Sequence, residues 1–251
     1  MQNNLRKKLQ NGELLLGTIL SLNSPDVAEI LSGTGFDWIF IDAEHSTLDP
    51  HDLKAIFQAI GESAPCVVRL PALDEIAVKK TLDAGAAGLL VPQVNTAKQV
   101  EQLVQWGRYH PEGSRGLGFG RVQGYGLKVG EYFESANEKV LLSAQAETTE
   151  AVENIEAIVR VPGLDAVVVG PLDLSTNMGL SGQVDHVDVK TAIQHVAEVC
   201  FDAGMPIGIF GMTAEAVKPY IAQGFTFIVC GADTILLGNA ARQLLEQLRK
   251  S

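Results

Sequence analysis

Short runs of apolar, largely β-branched residues alternate along the chain with longer stretches in which apolar positions recur at helical spacing. The strand-like runs fall at residues 14–20, 38–42, 66–70, 88–93, 140–147, 166–170, 206–210 and 225–231. Most are apolar at nearly every position, as strands covered on both faces should be. Between them the spacing predicts helices over 25–32, 50–60, 75–84, 96–109, 149–160, 187–202, 213–223 and 233–250. Ser24-Pro25 reads as a cap followed by proline in the first helical position, and Gly224 sits where a helix end wants a left-handed residue. Eight such units in 251 residues predict a single (β/α)8 TIM barrel domain spanning 1–251. A doubly wound open sheet is the competing architecture and requires a ligand crevice at a switch point.

Composition narrows the class. Hydrophobic residues make up 46% of the chain and mean hydropathy is +0.14, enough for a large core. Charged residues are only 20%, which argues against a long disordered tail. No window approaches the roughly 18 uncharged apolar residues of a membrane span. Residues 1–10 are rich in Asn, Lys and Arg and read as a polar helix without the apolar stretch of a secretory signal, so a cytoplasmic protein is expected. The net charge of −11 disfavours nucleic acid as a partner and favours solubility. Cys66, Cys200 and Cys230 are odd in number and far apart, which disfavours a disulfide framework or a structural zinc; Cys66 and Cys230 lie in apolar runs and are expected to be buried thiols. The glycine-rich stretch 110–131 lacks a GxGxxG register, so a dinucleotide site is unsupported; it is expected to be a mobile loop over or beside the barrel mouth.

Chemistry-bearing residues collect at strand ends. Asp42-Ala43-Glu44-His45 follows the second strand, Arg69 closes the third, Gln145-Ala146-Glu147 closes the fifth and Gly170-Pro171-Leu172-Asp173 follows the sixth. In a parallel barrel those ends share one face, and functional residues on strands two, three, five and six favour a closed ring. Glu147 and Asp173 can converge on one hard cation, leaving positions for water and a bidentate substrate. Taken alone, Asp173 is equally a helix N-cap and Glu147 a rim charge. Alternation sends Gln145 to the same side as Glu147. Gly170 permits close backbone approach, and the free N–H groups of Leu172 and Asp173 suit a carboxylate, although an ordinary strand-to-helix turn has the same sequence. Arg69 closing a buried strand needs a partner or a function; its donors can stabilise an enolate oxygen. His45 beside Asp42 and Glu44 suits proton transfer near neutral pH, with Asp83 as a second candidate partner. The other four histidines, and Asp165 and Asp202, read as packing, turn or helix-end residues. No strand-like run carries a lysine in its interior, which disfavours a Schiff base.

These residues resemble the HpcH/HpaI aldolase family. Gly35-Phe36-Asp37-Trp38-Ile39-Phe40-Ile41-Asp42-Ala43-Glu44-His45 is similar to that family's segment of the same form. Val67-Val68-Arg69, Pro111-Glu112-Gly113-Ser114-Arg115-Gly116, Gln145-Ala146-Glu147 and Gly170-Pro171-Leu172-Asp173-Leu174 follow its other motifs in order, from about residue 17 to 248. The resemblance implies a metal-dependent class II aldolase that cleaves 4-hydroxy-2-oxo acids to pyruvate and an aldehyde, with pyruvate enolate as the intermediate. It implies His45 as proton acceptor, Arg69 as enolate stabiliser, Asp83 as the acid raising the histidine's basicity, and Asp42 within the catalytic set. Glu147 and Asp173 are implied as ligands of Mg2+, Mn2+ or Co2+, with Gln145, Gly170, Leu172 and Asp173 around the substrate. A homohexamer, a trimer of dimers with the C-terminal helix exchanged between subunits, is also implied.

Departures from the family pattern bear on specificity: Ala43, Ala146, Leu172, the stretch 116–130 with Arg121, and Phe210-Gly211-Met212. Four alternatives stand beside aldol cleavage. They are decarboxylation or another lyase reaction on a 2-oxo diacid such as oxaloacetate, a different carbon–carbon bond formation as in macrophomate synthase, a phosphate-binding isomerase, and a non-catalytic metabolite-binding barrel.

Overall fold

The computed structural model describes residues 4–250. Its strands β1 (Leu15–Leu20), β2 (Trp38–Asp42), β3 (Cys66–Arg69), β4 (Gly88–Val91), β5 (Leu141–Ala146), β6 (Ala166–Val169), β7 (Ile207–Gly211) and β8 (Phe227–Ala232) close in sequence order into one parallel barrel. The helices are α1 (Leu5–Gln10), α2 (Pro25–Ser32), α3 (Pro50–Ile60), α4 (Glu75–Ala84), α5 (Ala97–Gly107), α6 (Val129–Lys139), α7 (Thr149–Glu153), α8 (Ile155–Val159), α9 (Pro171–Asn177), α10 (Val187–Asp202), α11 (Ala214–Ala222) and α12 (Asp233–Arg249). The eight strand-like runs are thus eight strands, and the closed ring excludes the doubly wound sheet.

Period-two alternation divides the strand side chains between two cores. Ile39, Ile41, Val68, Leu142 and Ala144 pack outward against the helices. Trp38, Phe40, Val67, Leu141 and Val168 point into the barrel, where Trp38 stacks on Phe227 at 4.1 Å between centroids. The same alternation carries Asp42, Arg69, Gln145 and Glu147 inward at the C-terminal ends of their strands. Leu5 and Leu9 of α1 join this inner core from the opposite end, so the N-terminal helix is a plug; residues 1–3 lie outside the described residues.

Three expectations need correction. Residues 110–131 are not a loop at the mouth. Helix α5 returns the chain to the N-terminal side of the barrel, and the segment stays there until α6 leads into β5. There Arg115 and Gln123 donate to Asp83 Oδ1 at 2.7 and 3.2 Å, and Arg121 donates to the carbonyl of Phe57 at 3.1 Å. Second, the helix expected over 149–160 is two short helices meeting at Asn154, whose side chain donates to the carbonyl of Asn95 at 2.9 Å. Third, Asp165 is more than a turn residue. Its carboxylate is buried and accepts from Arg6, Arg108 and the backbone N–H of Leu142 at 2.6–2.9 Å, fastening α1, α5 and β5 together. Cys66 and Cys200 are buried with thiols pushed up to about 12 by desolvation, while Cys230 is half-buried.

Candidate active site

At the mouth, Asp42 and Arg69 are register partners across β2 and β3. The guanidinium grips both carboxylate oxygens, Nε to Oδ1 at 3.0 Å and Nη2 to Oδ2 at 2.7 Å. It lies 5.5 Å from the Phe40 ring centroid, and Nε is also 3.2 Å from Glu44 Oε2. Burial alone would raise the Asp42 carboxyl, but Arg69 and the backbone N–H groups of His45 and Glu44 outweigh it and hold it below its ordinary value. Asp42 Oδ1 accepts those two N–H groups at 3.2 and 3.0 Å. Asp42 therefore shapes the turn and clamps the arginine; it does not bond the imidazole.

The His45 side chain is 64% exposed, and its Nε2 lies 3.8 Å from Glu44 Oε2. Glu44 joins Arg69 to the base; its place beside His45 follows from the sequence, its contact with Arg69 does not. Its Oε2 is buried without a hydrogen-bond partner, and burial raises its carboxyl despite Arg69 and His45. Asp83 stands elsewhere. It lies at the C-terminal end of α4, on the N-terminal side of the barrel, engaged with Arg115 and Gln123. Within one chain it cannot serve as the partner of His45. Arg121, on that same side, does not line its own chain's mouth.

Glu147 follows β5 and is buried, at 4% exposure. Its Oε1 accepts the backbone N–H of Gln93 at 2.7 Å, and its Oε2 accepts from the Gln145 amide, so the two side chains do share a face. Burial pushes Glu147 up to about 7; hydrogen bonds from Gln93 and Gln145 oppose the rise, and the charges of Asp173 and Glu44 add to it. Gln93 escaped the sequence reading. The available signal is a left-handed φ of 52° at a non-glycine residue, which structure alone reveals. Gly170 fits the close-approach reading: a Cβ there would lie 3.0 Å from Gln145 Nε2 and 3.1 Å from Glu147 Oε2. Gly170 caps α9 without a side-chain hydrogen bond, leaving the first-turn N–H groups of Leu172 and Asp173 uncapped.

Two adjoining cavities meet at this mouth. One, of about 270 Å3, is lined by Glu44, His45, Gln93, Glu147 and Asp173 among others. The other, of about 290 Å3, shares His45 and Asp173 and adds Arg69, Gln145 and Leu172. Because Asp42 already balances Arg69, Glu44, Glu147 and Asp173 leave surplus negative charge around the first cavity. An oxygen-only, under-neutralised donor set, with Glu147 buried and Glu44 and Asp173 half-buried, fits a hard divalent cation. Among the described residues, the group of three whose ligand atoms lie within 4.8 Å of one another is Asp49, His51 and Asp52. Their carboxylates are spent capping α3, where Asp49 accepts from the His51 and Asp52 N–H groups and Asp52 accepts from that of Asp49.

The HpcH/HpaI aldolase/citrate lyase family model matches residues 16–240. A 4-hydroxy-2-oxovalerate aldolase of Rhodococcus jostii is 36% identical over 96% of this chain and 94% of its own length. A hydroxypyruvate/pyruvate aldolase of Deinococcus radiodurans is 39% identical over 97% of this chain and 89% of its own. The crystal structure of an HpcH/HpaI aldolase/citrate lyase family protein from Burkholderia cenocepacia superposes with a TM-score of 0.95 at 35% identity, covering 98% of this chain and 99% of that one.

Proposed function

The chain belongs to the HpcH/HpaI aldolase/citrate lyase family, and from that premise we propose that it reversibly cleaves 4-hydroxy-2-oxo acids to pyruvate and an aldehyde. It is a carbon–carbon lyase. The observation that carries the reading is the meeting of a clamped arginine, an exposed histidine and two carboxylates, the buried Glu147 and the half-buried Asp173, at one barrel mouth. No helix among the described residues is long and apolar enough to cross a membrane.

Cleavage of the C3–C4 bond leaves the electron pair on the three-carbon fragment, as the enolate of pyruvate, while the 4-hydroxyl loses its proton and becomes the aldehyde oxygen. Glu147 and Asp173 would hold a divalent cation, which supplies Lewis-acid polarisation of the 2-oxo group when bound. Arg69 spends Nε and Nη2 on Asp42 and keeps Nη1 for the oxygen on which enolate charge develops. A bidentate clamp fixes the donor before the reaction begins, so little reorganisation is needed in the transition state. The uncapped N–H groups of Leu172 and Asp173 suit the substrate carboxylate, and Gln145 borders the same cavity. His45, exposed at the rim, would accept the 4-hydroxyl proton. Its neighbour Glu44, with Oε2 at 3.8 Å from Nε2, stands where it can orient the ring.

Leu236, Leu237, Leu244, Leu245 and Leu248 of α12 are 45–66% exposed. Their number supports α12 docking on a neighbouring subunit of a hexamer. Light scattering that finds only monomer at micromolar concentration would reject that assembly. The activity itself is tested by pyruvate release from 4-hydroxy-2-oxo acids, with chelator and after return of Mg2+, Mn2+ or Co2+. Metal-dependent release is expected from the native chain and none from Glu147→Ala; full activity of that variant in chelator would refute the class II reading.

A further inference from the structure

Phe40, Leu90, Val168 and Val169 line the larger mouth cavity, but its charge lies on one side only. Its charged residues, Asp42, His45, Arg69 and Asp173, come from the ends of β2 and β3 and from the loops and helix that follow β2 and β6. The side formed by β7, β8 and β1 presents Phe210, Met212, Val229, Ala232 and Ile19. Ser21 is the polar residue on that side, and its donors are already spent. Its hydroxyl donates to Asp233 Oδ1 at 2.8 Å and its backbone N–H to Oδ2 at 2.9 Å. Leu172 faces this space from α9 at 54% exposure, and Met212 overhangs it at 46%.

Resting on the aldolase reading, we propose that the aldehyde half of the substrate is uncharged and apolar, and that Leu172 and Met212 determine this specificity together with Phe210. The polar half of the cavity is taken by the 2-oxo acid end, whose carboxylate and carbonyl need the donors and cation gathered there. The remaining chain must then extend over the β7–β8–β1 wall. A methyl or methylene group gains by burial there, roughly fourfold in affinity per methylene. A terminal carboxylate loses water and meets no cation, because Arg69 already serves Asp42 and Glu44.

The experiment compares kcat/KM for pyruvate release from 4-hydroxy-2-oxoheptanoate and 4-hydroxy-2-oxoheptanedioate, which differ only in ending in methyl or carboxylate. The metal-loaded, full-length protein is used. A preference of about tenfold or more for the monocarboxylate is expected. Met212→Arg should shift the ratio toward the dicarboxylate, and Leu172→Ala should weaken discrimination between short and long apolar tails. Equal use of both substrates, preference for the dicarboxylate, or an unchanged ratio in Met212→Arg would overturn the proposal while leaving the aldolase reading standing. Release from neither substrate would overturn both.

Discussion

Asp42 and Arg69 face each other as register partners at the ends of β2 and β3, joined by two hydrogen bonds of 3.0 and 2.7 Å. The pair makes Asp42 an orienting group rather than an acid or base. Asp42→Asn keeps an oxygen for the N–H groups of Glu44 and His45 but loses the charge that holds Arg69. A fall of about 10²-fold in kcat is expected, the scale of a misdirected electrophile. The Asp42 carboxyl is held below its ordinary 3.8, so its contribution to stability is present above that value. It is lost as pH falls through the lower folded-state value. Melting curves of native protein and Asp42→Asn should therefore converge as pH falls below 3.8; a constant gap would remove the ion pair as its source.

Glu147 follows the opposite sign. Its folded-state value, about 7 against an ordinary 4.5, lies above the unfolded one, so the folded metal-free chain holds the proton more tightly. Stability then declines as pH rises from about 4.5 to 7, by roughly 3 kcal/mol in total. Glu147→Gln should flatten that decline and raise the melting temperature of chelated protein at pH 8. It should also abolish the rise in melting temperature expected when Mn2+ is added to the native chain. A variant that melts lower than native in chelator at pH 8, or still responds to Mn2+, would contradict this account.

The strands and the inward-facing site residues were legible because a buried parallel strand is written as an apolar run and its alternation is strict. Arg69, Gln145 and Glu147 follow from that rule alone. Gln93 does not, since its part is played by a backbone N–H and a left-handed φ that no side-chain pattern encodes. Asp83 and residues 110–131 were misplaced for a different reason. Similarity of motif says which residues matter, whereas topology says which end of the barrel they occupy. A helix after a strand runs back to the N-terminal side, so the last turn of α4 cannot reach the mouth of its own barrel.

Asp83 accordingly makes a structural prediction. It holds Arg115, whose side chain is fully buried, together with Gln123. Asp83→Ala leaves both donors without that partner, which is worth roughly 2 kcal/mol, or about 4–8 °C in Tm for a chain of this length. The pH profile of kcat should stay in place. An unchanged Tm with a displaced profile would instead make Asp83 the partner of a histidine, reached from another subunit.

The separate parts of Arg69 and His45 can be read from one comparison. Proton exchange at the pyruvate methyl requires formation of the enolate but no 4-hydroxyl, whereas aldol cleavage requires both. The Arg69–Asp42 clamp is buried and leaves Nη1 outside it, the donor that the proposed reading assigns to the enolate oxygen. Arg69→Ala should depress exchange and cleavage together, by about 10²–10³-fold. His45 stands at the exposed rim, 3.8 Å from Glu44, beyond the region where the three-carbon fragment would lie. His45→Ala should therefore depress cleavage by about 10²–10⁴-fold and exchange much less. Exchange is followed by proton NMR in deuterated buffer with the metal-loaded protein, and cleavage by coupled detection of pyruvate. Equal losses in His45→Ala would draw the histidine into enolate formation. Undiminished exchange in Arg69→Ala would leave the cation as the sole electrophile, and the Asp42 clamp would then be architecture rather than catalysis.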